Sequence, residues 1–356
     1  MSLRPNAFLV DLERKLRFEN AEVAKIEEEF WAMKARILWL VEGDKNTSFY
    51  HTSALVRRKR NRIICMKDRM GNWLNGEIEI ADFIRQGFLD LFTSQVKPAL
   101  SWLYGTPPIW NTRLNTEANL ILNAPIIDKE ISEGLWELKP FKAPSQDGLH
   151  AGFFQRFWLI VGNSMREEVK GVFSLRVIPD YMNQTLITLI PKCRSPESLS
   201  NYWPISLCNT IYKIVTKIIV NRICPFLSGL ISPLQATFVP GRKGLDNAII
   251  VQELIHTMSK NKGRTGAMAI KLDLEKAYDR LEWSFIRDTL NLFNFPDQLI
   301  SLIMSYVSTT SISILFNGGA LDAFQPSKRL RQDDPLSPYL FISCMEVLRA
   351  LIEGKC

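Results

Sequence analysis

Lys271-Leu272-Asp273-Leu274-Glu275-Lys276-Ala277-Tyr278-Asp279 is the stretch on which the reading of the fold turns. Just before and within it, Met268, Ile270, Leu272 and Leu274 alternate with Ala267, Ala269, Lys271 and Asp273. A period of two predicts a half-buried β-strand, with Asp273 on the face opposite four apolar side chains. Asp is a poor strand residue, and a carboxylate at such a place needs a compensating partner. Two partners fit the pattern equally at this point: a divalent cation, or a neighbouring Lys or Arg on a solvated sheet face.

Working outward, six further runs carry recognisable punctuation. They are Trp39 to His51 (WLVEGDKNTSFYH), Lys142 to His150 (KAPSQDGLH) and Leu189 to Lys192 (LIPK), then Asn201 to Asn209 (NYWPISLCN), Phe238 to Arg242 (FVPGR) and Leu330 to Pro338 (LRQDDPLSP). Together with the Asp273 segment, and in this order, they resemble the reverse transcriptases of non-LTR (LINE-type) retroelements of flowering plants. The resemblance spans nearly the whole chain. It implies an α+β fold of the right-hand polymerase kind, with fingers and a partial palm preceded by a long N-terminal helix, and with the thumb missing. The implied layout is an N-terminal helical and basic extension over 1–92, a linker over 93–123, fingers over 124–265 and a partial palm over 266–356.

The implied activity is RNA-directed DNA synthesis, with an RNA template, a DNA primer and dNTPs as partners and Mg²⁺ as cofactor. Phosphoryl transfer of this type uses two divalent ions held by carboxylates. In the resemblance Asp273 is the catalytic metal ligand and Tyr278 the aromatic residue that blocks a ribose 2′-OH. Gln332 packs near the incoming nucleotide, and Lys192 reaches its triphosphate as a point charge on a flexible stem. Residues alone leave Tyr278 equally well explained as a core tyrosine. Asp279, with Glu282 three residues on, is read as the N-cap and capping-box partner of a helix through Trp283, Phe285, Ile286 and Leu290.

The sequence also departs from the resemblance. Trp203 stands where relatives carry Arg, so a bidentate phosphate contact is lost. Asp333 replaces a glycine, adding a side chain and a negative charge beside the nucleotide. Ser145-Gln146 replaces Gly-Pro. The second metal-binding motif of the family, an aromatic-x-Asp-Asp hairpin, does not occur, and only 22 residues follow Asp334. The expectation is therefore a truncated domain that is inactive by itself; the alternatives are a non-catalytic RNA- or DNA-binding remnant and a poorly folded pseudogene product.

Composition adds bounds. The chain has 356 residues, 46% hydrophobic and 23% charged, enough for a sizeable core. A formal charge of +7 suits a nucleic-acid partner without requiring one. Arg57, Arg58, Lys59, Arg60 and Arg62 put five positive charges within six residues beside aromatic side chains, a mix that suits either a solvated face or a phosphate-tracking groove. No run has signal-peptide or membrane-spanning character, so the chain reads as soluble and intracellular. Six scattered cysteines and three histidines give no zinc or disulfide spacing.

Local patterns predict the rest. Leu12, Leu16, Val23, Ile26, Phe30, Met33, Ile37 and Leu40 predict one long amphipathic helix, interrupted in pattern at Glu19, stopped by Gly43 and laid on the rest of the protein. A helix opened by an Asp128 cap, a strand from Thr185 stopped at Pro191, and a helix from Ile211 broken near Pro225 follow. Asn317-Gly318 predicts a hairpin turn, and Asp334-Pro335 the start of a last helix with Leu336, Leu340, Phe341, Cys344, Leu348, Leu351 and Ile352 as its buried stripe.

Overall fold

The computed structural model describes residues 7–35, 47–95, 113–260, 266 and 268–353. In chain order the elements begin with α1 (Ala7–Ala35), α2 (Thr47–Arg60), β1 (Met66–Lys67), β2 (Trp73–Leu74), α3 (Glu77–Phe92), α4 (Thr116–Asn123) and α5 (Asp128–Trp136). Then come α6 (Ala151–Arg156), α7 (Trp158–Leu175), β3 (Gln184–Pro191), β4 (Tyr202–Cys208), α8 (Thr210–Leu230) and α9 (Gly244–Lys260). The last are α10 (Trp283–Leu292), α11 (Asp297–Ser308), β5 (Ser311–Phe316), β6 (Gly319–Ala320) and α12 (Ser337–Glu353). Contacts divide the chain into two units, 1–64 and 65–356. That division falls earlier than the boundary expected after residue 92.

In the first unit α1 carries the expected helical periodicity, yet Leu12, Leu16, Val23 and Ile26 are all exposed. The anticipated burial of this seam is not found for them; Gly43 and the distal seam positions lie outside the described residues or side chains. The basic run sits in the last turn of α2, where cations meet the negative end of the helix dipole.

The second unit is built on α8. Tyr212, Ile214, Val215, Ile218, Ile219 and Ile223 are nearly inaccessible and form one core with residues of α4, α5, α7, α10, α11 and α12. Pro225 does not break this helix, which runs on to Leu230. Leu227 and Leu230 beyond it are buried, so packing offsets the missing hydrogen bond. Leu114, Ala118 and Leu122 bring α4 into the same core, so the stretch expected to be a linker ends in a packed helix.

A four-stranded sheet, ordered β4-β3-β5-β6, lies at the edge of this core. β3 pairs antiparallel with β4, Leu189 opposite Pro204, and parallel with β5, Ile187 opposite Ile314. Asn317 and Gly318 turn β5 into β6 with φ of 49° and 100°, the left-handed backbone that Asn and Gly tolerate. α12 starts where Asp334 accepts from the Leu336 and Ser337 amides (3.1 and 2.8 Å). Its buried side includes Leu340, Cys344 and Val347, while Leu348 and Ile352 are exposed, a rotation from the expected stripe.

Three local expectations are corrected. First, residues 268–274 form no strand: they lie in extended chain outside the sheet, with Met268 82%, Ile270 74% and Leu272 72% exposed. Alternation gives a segment two chemically distinct faces, but a strand exists only where another backbone edge completes its hydrogen bonds, and among the described residues none does. Second, α10 is preceded by Glu282 as N-cap, and Asp279 is no cap at all. Third, α5 is opened by Ile127, whose amide donates to Glu130 (3.1 Å), while Asp128 ion-pairs with Lys170 (2.5 Å).

Candidate nucleotide-binding site

An open cavity of about 450 Å³ lies between the β3–β4 hairpin, the β1–β2 hairpin and the chain entering α12. Lys192, at the end of β3, and Gln332 both line it, joined by Trp203, Lys276, Asp279 and Lys67. The pairing of Ile190 with Trp203 places Lys192 and Trp203 at one end of the β3–β4 ladder. Lys192 Nζ donates to the Ser200 carbonyl (2.7 Å), which steadies the ammonium at the rim. Trp203 is 51% exposed and offers an indole face where the resemblance has a guanidinium. Lys67 is drawn toward Glu197 (2.6 Å) and also sits over the Trp73 ring.

Beneath Gln332 lies a charged layer that the sequence did not announce. Gln332 Nε2 donates to Asp279 Oδ2 (3.3 Å), and Asp279 faces the Arg329 guanidinium at 3.9 Å with both side chains nearly inaccessible. Burial pushes the Asp279 carboxyl up, against the opposing pull of Arg329 and Lys276. Burial likewise lowers Arg329, to about 10. Both shifts run toward neutrality because the attraction across 3.9 Å does not repay two desolvations. Arg329 also lies over the Phe92 ring and donates to Ser206 Oγ (3.2 Å). Two residues on, Arg331 donates to Asn183 Oδ1 (2.5 Å) and to Thr310 Oγ1, and packs over Tyr212 and Tyr306. The backbone of the Gln332 loop is thereby pinned from below. A signal for Arg329 and Arg331 did exist: cations on either side of Leu330, next to Gln332.

Asp333 takes φ of 70°, the conformation a glycine would hold freely, and its carboxylate bonds Lys142 Nζ (2.9 Å). Its charge is thus directed away from the Gln332 cavity and toward the loop before α6. Tyr278 is half-buried and stacked on Phe341, ring centroids 4.7 Å apart. It does not line the cavity, nor does Asp273, which is exposed in the extended segment. The fold therefore brings Lys192 and Gln332 together and leaves Asp273 and Tyr278 outside that group. Arg57, Arg58, Lys59, Arg60 and Arg62 are exposed and belong to the other unit.

A divalent ion needs several oxygen ligands converging on one point. Asp273 stands alone: Glu275 is engaged by Arg280 (3.2 Å), and Asp279 is turned inward to Arg329. Among the described residues no three metal-ligating side chains cluster, so the residues as arranged do not fit an Mg²⁺ pair.

Residues 190–356 match the family described as Reverse transcriptase (RNA-dependent DNA polymerase). That span starts at the β3–β4 hairpin and includes Lys192, Asp273 and Gln332. The chain is 27% identical over 346 residues to the Transposon TX1 uncharacterized 149 kDa protein of Xenopus laevis, covering 97% of this chain and 26% of that protein. It is 28% identical over 175 residues to the Pol polyprotein of the type-2 retrotransposable element R2DM of Drosophila melanogaster, covering 49% of this chain and 16% of that protein. Residues 190–356 carry a reverse transcriptase domain, homologous to the TX1 and R2 retroelement proteins. The chain spans about a quarter of the TX1 protein's length and a smaller share of R2DM's. A chain of the partial Cas6-RT-Cas1--Cas2 complex is similar at 16% identity, with 67% of this chain and 35% of that chain covered and a TM-score of 0.38. Reverse transcriptases bind template and primer and normally use divalent metal ions. Among the described residues, no helix of the domain is long and apolar enough to cross a membrane.

Proposed function

We propose that the Lys192–Gln332 cavity binds the incoming dNTP for RNA-templated DNA synthesis, within a retroelement of the flowering-plant type. The observation that carries this reading is the convergence on one open cavity of Lys192 and Gln332, which are far apart in sequence and belong to two separate motifs. Lys192 supplies a point charge for the triphosphate. Gln332, with its amide nitrogen held by Asp279, keeps its carbonyl oxygen as an acceptor for the ligand. Trp203 replaces a phosphate contact by a flat aromatic surface on which a base or sugar can rest. Tyr278 and Asp273 lie outside this cavity, so the 2′-OH gate and the first metal ligand that the resemblance assigns to them are not part of this reading.

A photoreactive dTTP analogue tests the cavity directly. Labelling is expected in peptides spanning 184–208 and 330–334 and is expected to fall in Lys192→Ala and Gln332→Ala. Labelling elsewhere, or unchanged labelling in both variants, refutes the assignment. For the 356 residues by themselves no primer extension is expected, because among the described residues no three metal-ligating side chains cluster. Incorporation that Asp273→Asn abolishes would overturn that expectation.

A second role, in holding RNA or DNA, is supported by α2, whose last turn exposes a dense positive charge. Alanine at Arg58, Lys59, Arg60 and Arg62 is expected to flatten the salt dependence of RNA binding. An unaltered slope removes this helix from the interface.

A further inference from the structure

A second cavity, of about 210 Å³, opens where the N-terminus of α8 meets the loop before α6 and the start of α12, and Lys213 lines it. Lys213 is only 9% exposed, the fourth residue of a helix otherwise given to the apolar core. Helical side chains lean toward the N-terminus, and Lys213 lines the cavity together with Thr210 of the first turn. There the Lys213 ammonium makes no hydrogen bond or ion pair among the described residues. A lysine with so much of its surface buried is ordinarily paired.

The carboxylates around it are committed elsewhere. Glu137 is held by Lys217 (2.8 Å), and Asp333 by Lys142 (2.9 Å). Asp147 senses the charge of Lys213 from beyond ion-pair distance. The helix start is equally unfinished, since Asn209, its N-cap, makes no side-chain cap. The Asn209 amide donates instead to the Tyr181 carbonyl (3.1 Å), and the Thr210 hydroxyl to the Leu149 carbonyl (3.0 Å). Free N–H groups in the first turn of a long helix, with an unpaired ammonium lining the same cavity, form a receptor for a tetrahedral anion. Lys139 also lines the cavity and adds positive potential.

We propose that this cavity grips a phosphodiester of a nucleic-acid strand, between the Lys213 ammonium and the first-turn amides of α8. This rests on the reading of the domain as one that binds nucleic acid. The cavity is distinct from the nucleotide cavity, and Gln332 and Asp333, adjacent in sequence, line one each.

The test uses the full chain with three probes: a single-stranded oligouridylate, the same oligomer with a methylphosphonate backbone, and inorganic phosphate. Lys213→Met is expected to weaken oligouridylate binding about tenfold, to make its salt slope shallower by about 0.7, and to raise the unfolding temperature by removing a buried charge. Lys213→Arg is expected to keep the slope. Asn209→Asp, which caps the helix and repels phosphate, is expected to stabilise the protein and weaken binding, a pairing that purely structural roles would not produce. It also serves if Lys213→Met fails to fold. The neutral-backbone oligomer should bind parent and variants alike. Parent-like affinity and slope in Lys213→Met and Asn209→Asp overturn the proposal while leaving the domain reading intact. Inorganic phosphate that binds without competing with oligouridylate marks a free-anion site and overturns the strand assignment. A parent chain that binds no oligouridylate removes the domain reading, and this proposal with it.

Discussion

Glu130 shows how one carboxylate can hold several backbone ends together. Arg222 donates to both its oxygens (2.7 and 2.9 Å) and to the carbonyls of Leu122, Ala124 and Pro125, while Glu130 also accepts from the Ile127 amide. Burial alone would raise the Glu130 carboxyl, yet the Arg222 hydrogen bonds and charge, with the Ile127 amide, bring it below its ordinary 4.5. A lowered folded value means that this stabilisation is complete above about pH 4.5 and is lost as pH falls through the folded value. Glu130→Gln is expected to cost about 2 kcal/mol at neutral pH. In denaturant melts the gap between parent and variant should close on acidification; a gap that stays constant well below pH 4.5 would show that the pair does not act this way. At this scale residue type within a motif singled out Asp273, Lys192, Gln332 and Tyr278 as candidates, and of these Lys192 and Gln332 line one cavity. The partnership of Asp279 with Arg329 and Gln332 was not legible. Its sequence neighbourhood offers a helix cap equally well, and only the approach of the chain before α12 supplies a buried guanidinium.

Among the elements, α8 carries the core and the segment 268–274 carries almost no contact. Ile218 is 1% exposed at the centre of α8. Ile218→Ala is expected to lower stability by about 3 kcal/mol in equilibrium urea unfolding. A loss below about 1 kcal/mol would mean that the site collapses around the cavity, as well-packed cores seldom do. By contrast, the amides of 268–274 have no ladder partner among the described residues, so hydrogen exchange there is expected to be nearly unprotected while β3 exchanges slowly. Protection of Ile270 and Leu272 comparable with Ile187 would show a strand after all. α9 makes the same point for helices: Leu245, Ile249, Ile250, Leu254 and Ile255 are all exposed. Its amphipathic pattern specifies a helix, and nothing among the described residues of the domain covers its apolar side. Pro225 argues in the opposite direction. A local rule says that the helix stops, and burial on both sides of the proline carries it through.

For the molecule as a whole, the unit from Cys65 onward contains its own core, its sheet and both cavities. A chain beginning at Cys65 is therefore expected to unfold cooperatively, with a thermal midpoint within a few degrees of the parent's. Loss of cooperativity would show that residues 1–64 complete the fold. What the sequence by itself determined is the kind of protein this is: seven ordered motifs, the mixed strand and helix patterns, the Asn317-Gly318 hairpin and the helix opened at Asp334. Those features depend on residue type and on separations of a few positions, which a linear chain displays directly. Only the tertiary structure decided which motifs meet: that Lys192 and Gln332 share a cavity, that Asp279 is buried beneath it, that Lys213 is left unpaired in a second cavity, and that residues 268–274 pair with no strand among the described residues. Each of these depends on contacts between distant segments and on the removal of water around a charge, and neither quantity exists until the chain has folded.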